Sequence, residues 1–130
     1  MPHFTLEYSA NLENQANIDR LCDVIHKSAV QTGIFPLGGL RVRALRCDAY
    51  AVADKMSENA FLHVTVAIGA GRDPSVKRAA GDHIWEALCA ELGPIFGTPH
   101  FALSMEWREI DPELSWKKNS IHPRLAGNKE

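Results

Sequence analysis

No apolar run in this 130-residue sequence approaches the roughly 18 residues of a membrane span. Its first residues lack the cationic and greasy segments of a secretory signal, so no export is expected. An excess of one charge is missing too. Fourteen Lys and Arg stand against sixteen Asp and Glu, a net charge of -2, which leaves no footprint for nucleic acid or an anionic membrane. Cysteine is scarce: Cys22, Cys47 and Cys89 are an odd number without close spacing. A disulfide framework or cysteine zinc site is therefore not expected, and reduced thiols in a cytoplasm are. The six histidines, His3, His26, His63, His83, His100 and His122, form no HxxxH or HExxH spacing, so no metal is expected. Ser9, Ser28 and Ser104 lack the context of a nucleophile elbow.

What is present is an ordinary globular composition, 45% hydrophobic and 23% charged, over a length that fits one domain spanning 1–130. "HFTLEY" (3–8) alternates Phe4, Leu6 and Tyr8 against polar residues, the pattern of a strand. Ile18, Leu21, Cys22, Ile25 and Ala29 then fall on one helical stripe, which Gly33 and Pro36 terminate. A second strand is expected in 38–50, with Arg41, Arg43 and Leu45 on one face and Leu40, Val42 and Ala44 on the other. A third, β-branched strand runs over 60–71. Asp73 as N-cap and Pro74 as first residue open a second helix, with Val76, Ala80, Ile84, Ala87 and Leu88 as its buried stripe. "HFALSMEWRE" (100–109) supplies a fourth strand, and 110–130 reads as an extended arm.

The order is β-α-β twice, and "HFTLEY" at 3 aligns with "HVTVAI" at 63 at an offset of sixty. The fold expected is α+β: tandem β-α-β units, about 2–50 and 60–109, forming one four-stranded mixed sheet with two helices on one face. The other face is expected to carry uncovered Phe, Leu, Val and Trp side chains. Such a face marks an interface, hence a homo-oligomer with the arm reaching onto a neighbour.

The chain opens "MPHF". Removal of Met1 would turn the Pro2 amide into a free secondary amine, able to accept a proton. To act as a base at neutral pH its pKa must fall, and both an apolar pocket and neighbouring arginines push it that way. A base so tuned contributes typically ~10²–10⁴-fold in rate.

Taken together, "MPHF", "TGIFPLGGLRVR" (32–43), "FLHVTVAIGAGR" (61–72) and "KKNSIH" (117–122) resemble the 5-carboxymethyl-2-hydroxymuconate Δ-isomerase family of the tautomerase superfamily. The resemblance spans nearly the whole chain in order. It implies a homotrimer, no metal or organic cofactor, and an enzyme of aromatic-acid catabolism (the homoprotocatechuate branch) that shifts a double bond in an unsaturated keto acid. It further implies Pro2 as general acid and base, with Arg41 and Arg72 as the substrate-binding arginines. Arg43 shares the face of Arg41 and is the lesser candidate. Arginine suits such a role because its planar fork matches a carboxylate and its charge does not switch off. The first repeat has Leu12 where the second has Arg72, so each half is specialised. Other superfamily chemistries, tautomerisation of phenylpyruvate, decarboxylation or dehalogenation, would use the same groups. From another class, a non-catalytic ferredoxin-like module binding a small acid or a protein partner fits the element order equally. An RNA-binding module does not, since its basic aromatic strand motif is absent.

Overall fold

Strand alternation sorts this chain into an apolar and a polar face, and the sheet is built on that division. The computed structural model describes residues 1–127. Its strands are β1 (His3–Ser9), β2 (Arg41–Cys47), β3 (Ala60–Gly69) and β4 (Phe101–Ile110), and its helices α1 (Ile18–Thr32), α2 (Pro74–Glu91) and the short α3 (Ile121–Gly127). The strands lie in the order β2-β1-β3-β4. β1 runs parallel to β2 and β3 parallel to β4, while β1 and β3 meet antiparallel, which makes the sheet mixed. Thr5 faces Thr65 in that central pair. These two are equivalents at the sixty-residue offset, so the repeats are related by a local two-fold through that point.

Helix signals were met where the sequence put them. Asn17 caps α1 by accepting from Arg20 N, and Gly33 ends it with φ 75°, a left-handed conformation that costs a glycine little. Asp73 caps α2 by accepting from Ser75 N, with Pro74 in the first turn. Leu21, Ile25 and Ala29 of α1 and Ala80, Ile84 and Leu88 of α2 are buried, but Val76 stays 39% exposed and Ala87 only half-buried. Val76 lies in the first turn of its helix, beyond the reach of the core that covers the later turns.

The register overturns the expected uncovered apolar face. Phe4, Leu6 and Tyr8 pair with Val66, Val64 and Leu62, which pair in turn with Trp107, Met105 and Leu103. All these side chains therefore share one face, and both long helices cover it. Phe4, Leu6, Val64, Val66 and Ile84 are fully buried there, each side chain contributing about 1.5–3 kcal/mol. The opposite face is mainly polar instead: His3, Thr5, Arg41, Arg43, His63, Thr65, Ser104, Glu106 and Arg108, with Leu45 and Phe61 beside them. Because alternation has period two, residues of one register class cannot be divided between the faces.

The tail also departs from expectation. It is not extended throughout: Pro112–Leu114 forms a 3-10 turn, and α3 folds back on the turn Leu37–Gly39 of its own chain. Residues 128–130 of the expected arm lie outside the described residues. Trp116 remains 87% exposed.

Candidate active site

Pro2 is buried at the head of β1, a central strand, and its carbonyl accepts a 3.2 Å hydrogen bond from Arg41 N. The pairing of β1 with β2 on one side and β3 on the other thus holds the proline ring in place. Met1 precedes it and packs on Gly39. A Cβ there would stand 3.1 Å from Met1 Cγ, so the absence of a side chain is what admits the methionine.

Three cations bear on the amino terminus. Its pKa is lowered first by burial, then by the charges of Lys117, Arg41 and Arg72. These come from remote stretches of chain: Arg41 opens β2, Arg72 follows β3, and Lys117 lies in the tail before α3. Arg72 is half-buried and fixed by two backbone carbonyls, donating to Gly69 O at 3.2 Å and Ile34 O at 2.9 Å. Its guanidinium therefore bridges the end of β3 and the segment after α1. Phe35, next to Ile34, is buried edge-on to Phe4 at 5.3 Å and near Trp107 at 6.0 Å, which makes it a core residue beneath the site.

Arg41 and Arg43 also meet a histidine. Arg41 Nη2 lies 3.0 Å from His3 Nε2, and Arg43 Nη1 lies 3.1 Å from His3 Nδ1. A neutral imidazole offers one lone pair and a protonated one none, so only one of these contacts at a time is a hydrogen bond. Burial, then Arg41 and Arg43, lower the His3 pKa and so favour the neutral ring. Arg43 is not among the cations that act on the amino terminus. Arg41 and Arg72 thus both act on the amino group of Met1, the residue bonded to Pro2, whereas Arg43 lies two residues farther along β2.

The tail closes the remaining side. Asn119 Nδ2 donates to Gly38 O at 2.8 Å and approaches Met1 Sδ at 3.2 Å, while its Oδ1 accepts from Ile121 N and His122 N. A cavity of about 260 Å³ lies here, lined by Met1, Leu37, Gly38, Arg41, Asn119 and Ile121 among others. Lys117 and Asn119 were not singled out from sequence, although both belong to "KKNSIH". Only the return of the tail onto Gly38 reveals them, and no periodicity encodes that. Among the described residues no three His, Cys, Asp or Glu side chains gather as a metal site would, and no helix is long and apolar enough to cross a membrane.

A buried proline at the head of a central strand, next to an amino terminus on which cations from three segments act, can be compared with known proteins. A family profile described as 5-carboxymethyl-2-hydroxymuconate isomerase matches residues 2–125. The chain belongs to that family. The 5-carboxymethyl-2-hydroxymuconate Δ-isomerase of Escherichia coli is 34% identical over 122 residues, covering 94% of this chain and 97% of the relative. A crystal structure of a 5-carboxymethyl-2-hydroxymuconate isomerase from Deinococcus radiodurans R1 superposes with a TM-score of 0.89 at 38% identity, covering 95% of this chain and 93% of that one. A second crystal structure, of a 5-carboxymethyl-2-hydroxymuconate Δ-isomerase, gives 0.88 at 25% identity over 96% and 93% of the two chains.

Proposed function

We propose that this isomerase-family chain acts on 5-carboxymethyl-2-hydroxymuconate or a closely similar unsaturated hydroxy or keto polycarboxylic acid, shifting its double bond. In this reading Met1 is removed and the Pro2 nitrogen is the general acid and base. The amine takes the hydroxyl or α-proton, leaving a dienolate delocalised over the conjugated system. The same nitrogen, now protonated, returns that proton to another carbon. Arg41 and Arg72 hold the substrate carboxylates and stabilise the developing enolate charge, with Arg43 as the lesser candidate. Neither a metal nor an organic cofactor takes part.

The observation that carries the reading is the convergence of Lys117, Arg41 and Arg72 on the amino terminus. The same three charges that would attract a polycarboxylate push a nearby amine toward its unprotonated form. One electrostatic arrangement therefore serves both binding and base strength. The active form is read as one domain over 1–130, working in the cytoplasm as a homotrimer.

The test pairs intact mass with turnover. The purified chain is expected to lack Met1 and to isomerise the dienol acid. Pro2→Ala is expected to keep its fold and lose at least about a hundredfold in kcat, in line with the usual worth of a positioned base. Full turnover by that variant would reject the proline. A chain that retains Met1 and turns nothing over would favour the non-catalytic ferredoxin-like module instead.

A further inference from the structure

Asn119 is held at both ends of its side chain. Because Oδ1 accepts from two backbone N–H groups, Ile121 N at 2.7 Å and His122 N at 3.1 Å, the amide orientation is fixed and Nδ2 is the donor end. Of its two N–H bonds, one goes to Gly38 O at 2.8 Å. The other meets only a thioether, Met1 Sδ at 3.2 Å, and a thioether is a weak acceptor. A rigidly aimed amide donor is thus spent on a poor partner.

That partner belongs to the residue whose removal frees the Pro2 nitrogen. Met1 is bonded directly to that nitrogen, so the space its side chain fills adjoins the base by covalent necessity. Gly39 forms the floor of this space, since it leaves room against the Met1 Cβ and Cγ atoms. Arg41 lines the same cavity. Once Met1 is gone, the second N–H of Asn119 has no partner and faces the opened space within a methionine's length of the base.

We propose that Asn119 is a substrate-binding residue of this isomerase, donating through Nδ2 to a carboxylate or enolic oxygen of the acid in the space that Met1 fills. The inference rests on the reading of Pro2 as the exposed base. Arginines supply charge at this site, whereas Asn119 supplies a neutral donor whose direction is fixed by α3. It therefore selects where an oxygen sits along the substrate. The tail is in this account part of the binding pocket, and docking of α3 on Gly38 sets the donor in position.

Two measurements test it. The first is calorimetric binding of adipate, an unreactive dicarboxylate with the muconate skeleton, to the chain with Met1 removed and to the same chain purified with Met1 retained by inhibiting methionine aminopeptidase. Binding only without Met1 is expected; equal affinity in both overturns the proposal. The second is Asn119→Ser, which keeps an oxygen to cap α3 but shortens the side chain and loses Nδ2. With Met1 shown absent by mass, its adipate affinity and its kcat/KM for the dienol acid are each expected to fall about tenfold, one charge-assisted hydrogen bond's worth. The rise of kcat/KM with pH should keep its midpoint, since no charge is changed. Unaltered affinity and kcat/KM overturn the proposal, and a tail that comes loose in the variant leaves the Met1 comparison to decide. Adipate binding involves no proton transfer, so its failure leaves the proline's role standing. Full turnover by Pro2→Ala would instead remove the base and leave the binding role of Asn119 intact.

Discussion

A base must be neutral to accept a proton, and each cation near Pro2 biases it that way. The amino terminus of this chain feels burial first and then Lys117, Arg41 and Arg72, all lowering its pKa. A proline nitrogen exposed one residue later would stand among the same charges. The sign is fixed: kcat/KM should rise with pH as the amine passes through its lowered pKa and sheds its proton. Lys117→Gln removes a cation, raises that pKa and should move the rising limb to higher pH, with little change above it. Lys117 comes first among the charges, so its removal should move the limb more than loss of Arg72 would. A pH–rate profile of the two variants measures this, and an unmoved limb in Lys117→Gln shows that Lys117 does not act on the amine. His3 belongs to the same balance. Arginines face both of its ring nitrogens, so a third positive charge there would be repelled, and burial with those two charges lowers its pKa.

At the scale of elements, the tail depends on one glycine. A Cβ on Gly38 would stand 2.5 Å from His122 Nδ1 and 2.9 Å from His122 Cα. The ring can swing aside, but the backbone of α3 cannot move without leaving its seat. Gly38→Ala should therefore release the tail while the sheet and both long helices stay folded, because α3 contributes no residue to the buried core cluster. Limited proteolysis should cut within 115–121 much faster than in the parent, with the thermal midpoint near wild type and kcat/KM reduced. A tail as protected as before would show that α3 finds another seat. Why this contact escapes the sequence is physical. The strands and helices were legible because Phe4, Leu6, Val64 and Ile84 repeat at periods of two or 3.6, and Asp73, Gly33 and Pro36 punctuate them. Residues 110–130 carry no such period, and α3 exists through its contacts with Leu37–Gly39, some eighty residues away in the chain. The site was half legible for the same reason. Pro2, Arg41 and Arg72 lie at strand ends that periodicity locates, whereas Lys117 and Asn119 arrive by tertiary return. The facing of the sheet follows once the helices are paired with the strands: the apolar stripes of α1 and α2 cover the set Phe4, Leu6, Val64 and Val66, which turns the other set outward.

For the whole molecule, surface area argues for assembly. A compact monomer of 14.4 kDa exposes about 6,800 Å² by the usual scaling, and this chain exposes 8128 Å². The surplus includes large apolar groups left exposed among the described residues: Trp116 at 87%, Leu114 at 71% and Leu45 at 50%. Trp107 Nε1, on the helix-covered face, is buried with no hydrogen-bond partner among the described residues. The uncovered sheet face is itself divided by the internal repeat. His3 is met by Arg41 and Arg43, while its equivalent His63 is met by Ser104 at 2.6 Å and Glu106 at 3.1 Å. Opposite character on the two halves suits a head-to-tail contact, which closes into a ring when the rotation allows. For the homotrimer proposed above, sedimentation equilibrium should give about three times the chain mass. Glu106→Arg places positive charge in the half that must meet Arg41 and Arg43 of a neighbour, and should shift the weight-average mass toward 14.4 kDa. Trp116 emission should move to longer wavelength as the assembly is diluted, and a Trp116→Phe variant identifies that share of the signal. A monomer at micromolar concentration with activity intact would overturn the assembly, and with it any part for a second subunit in the site.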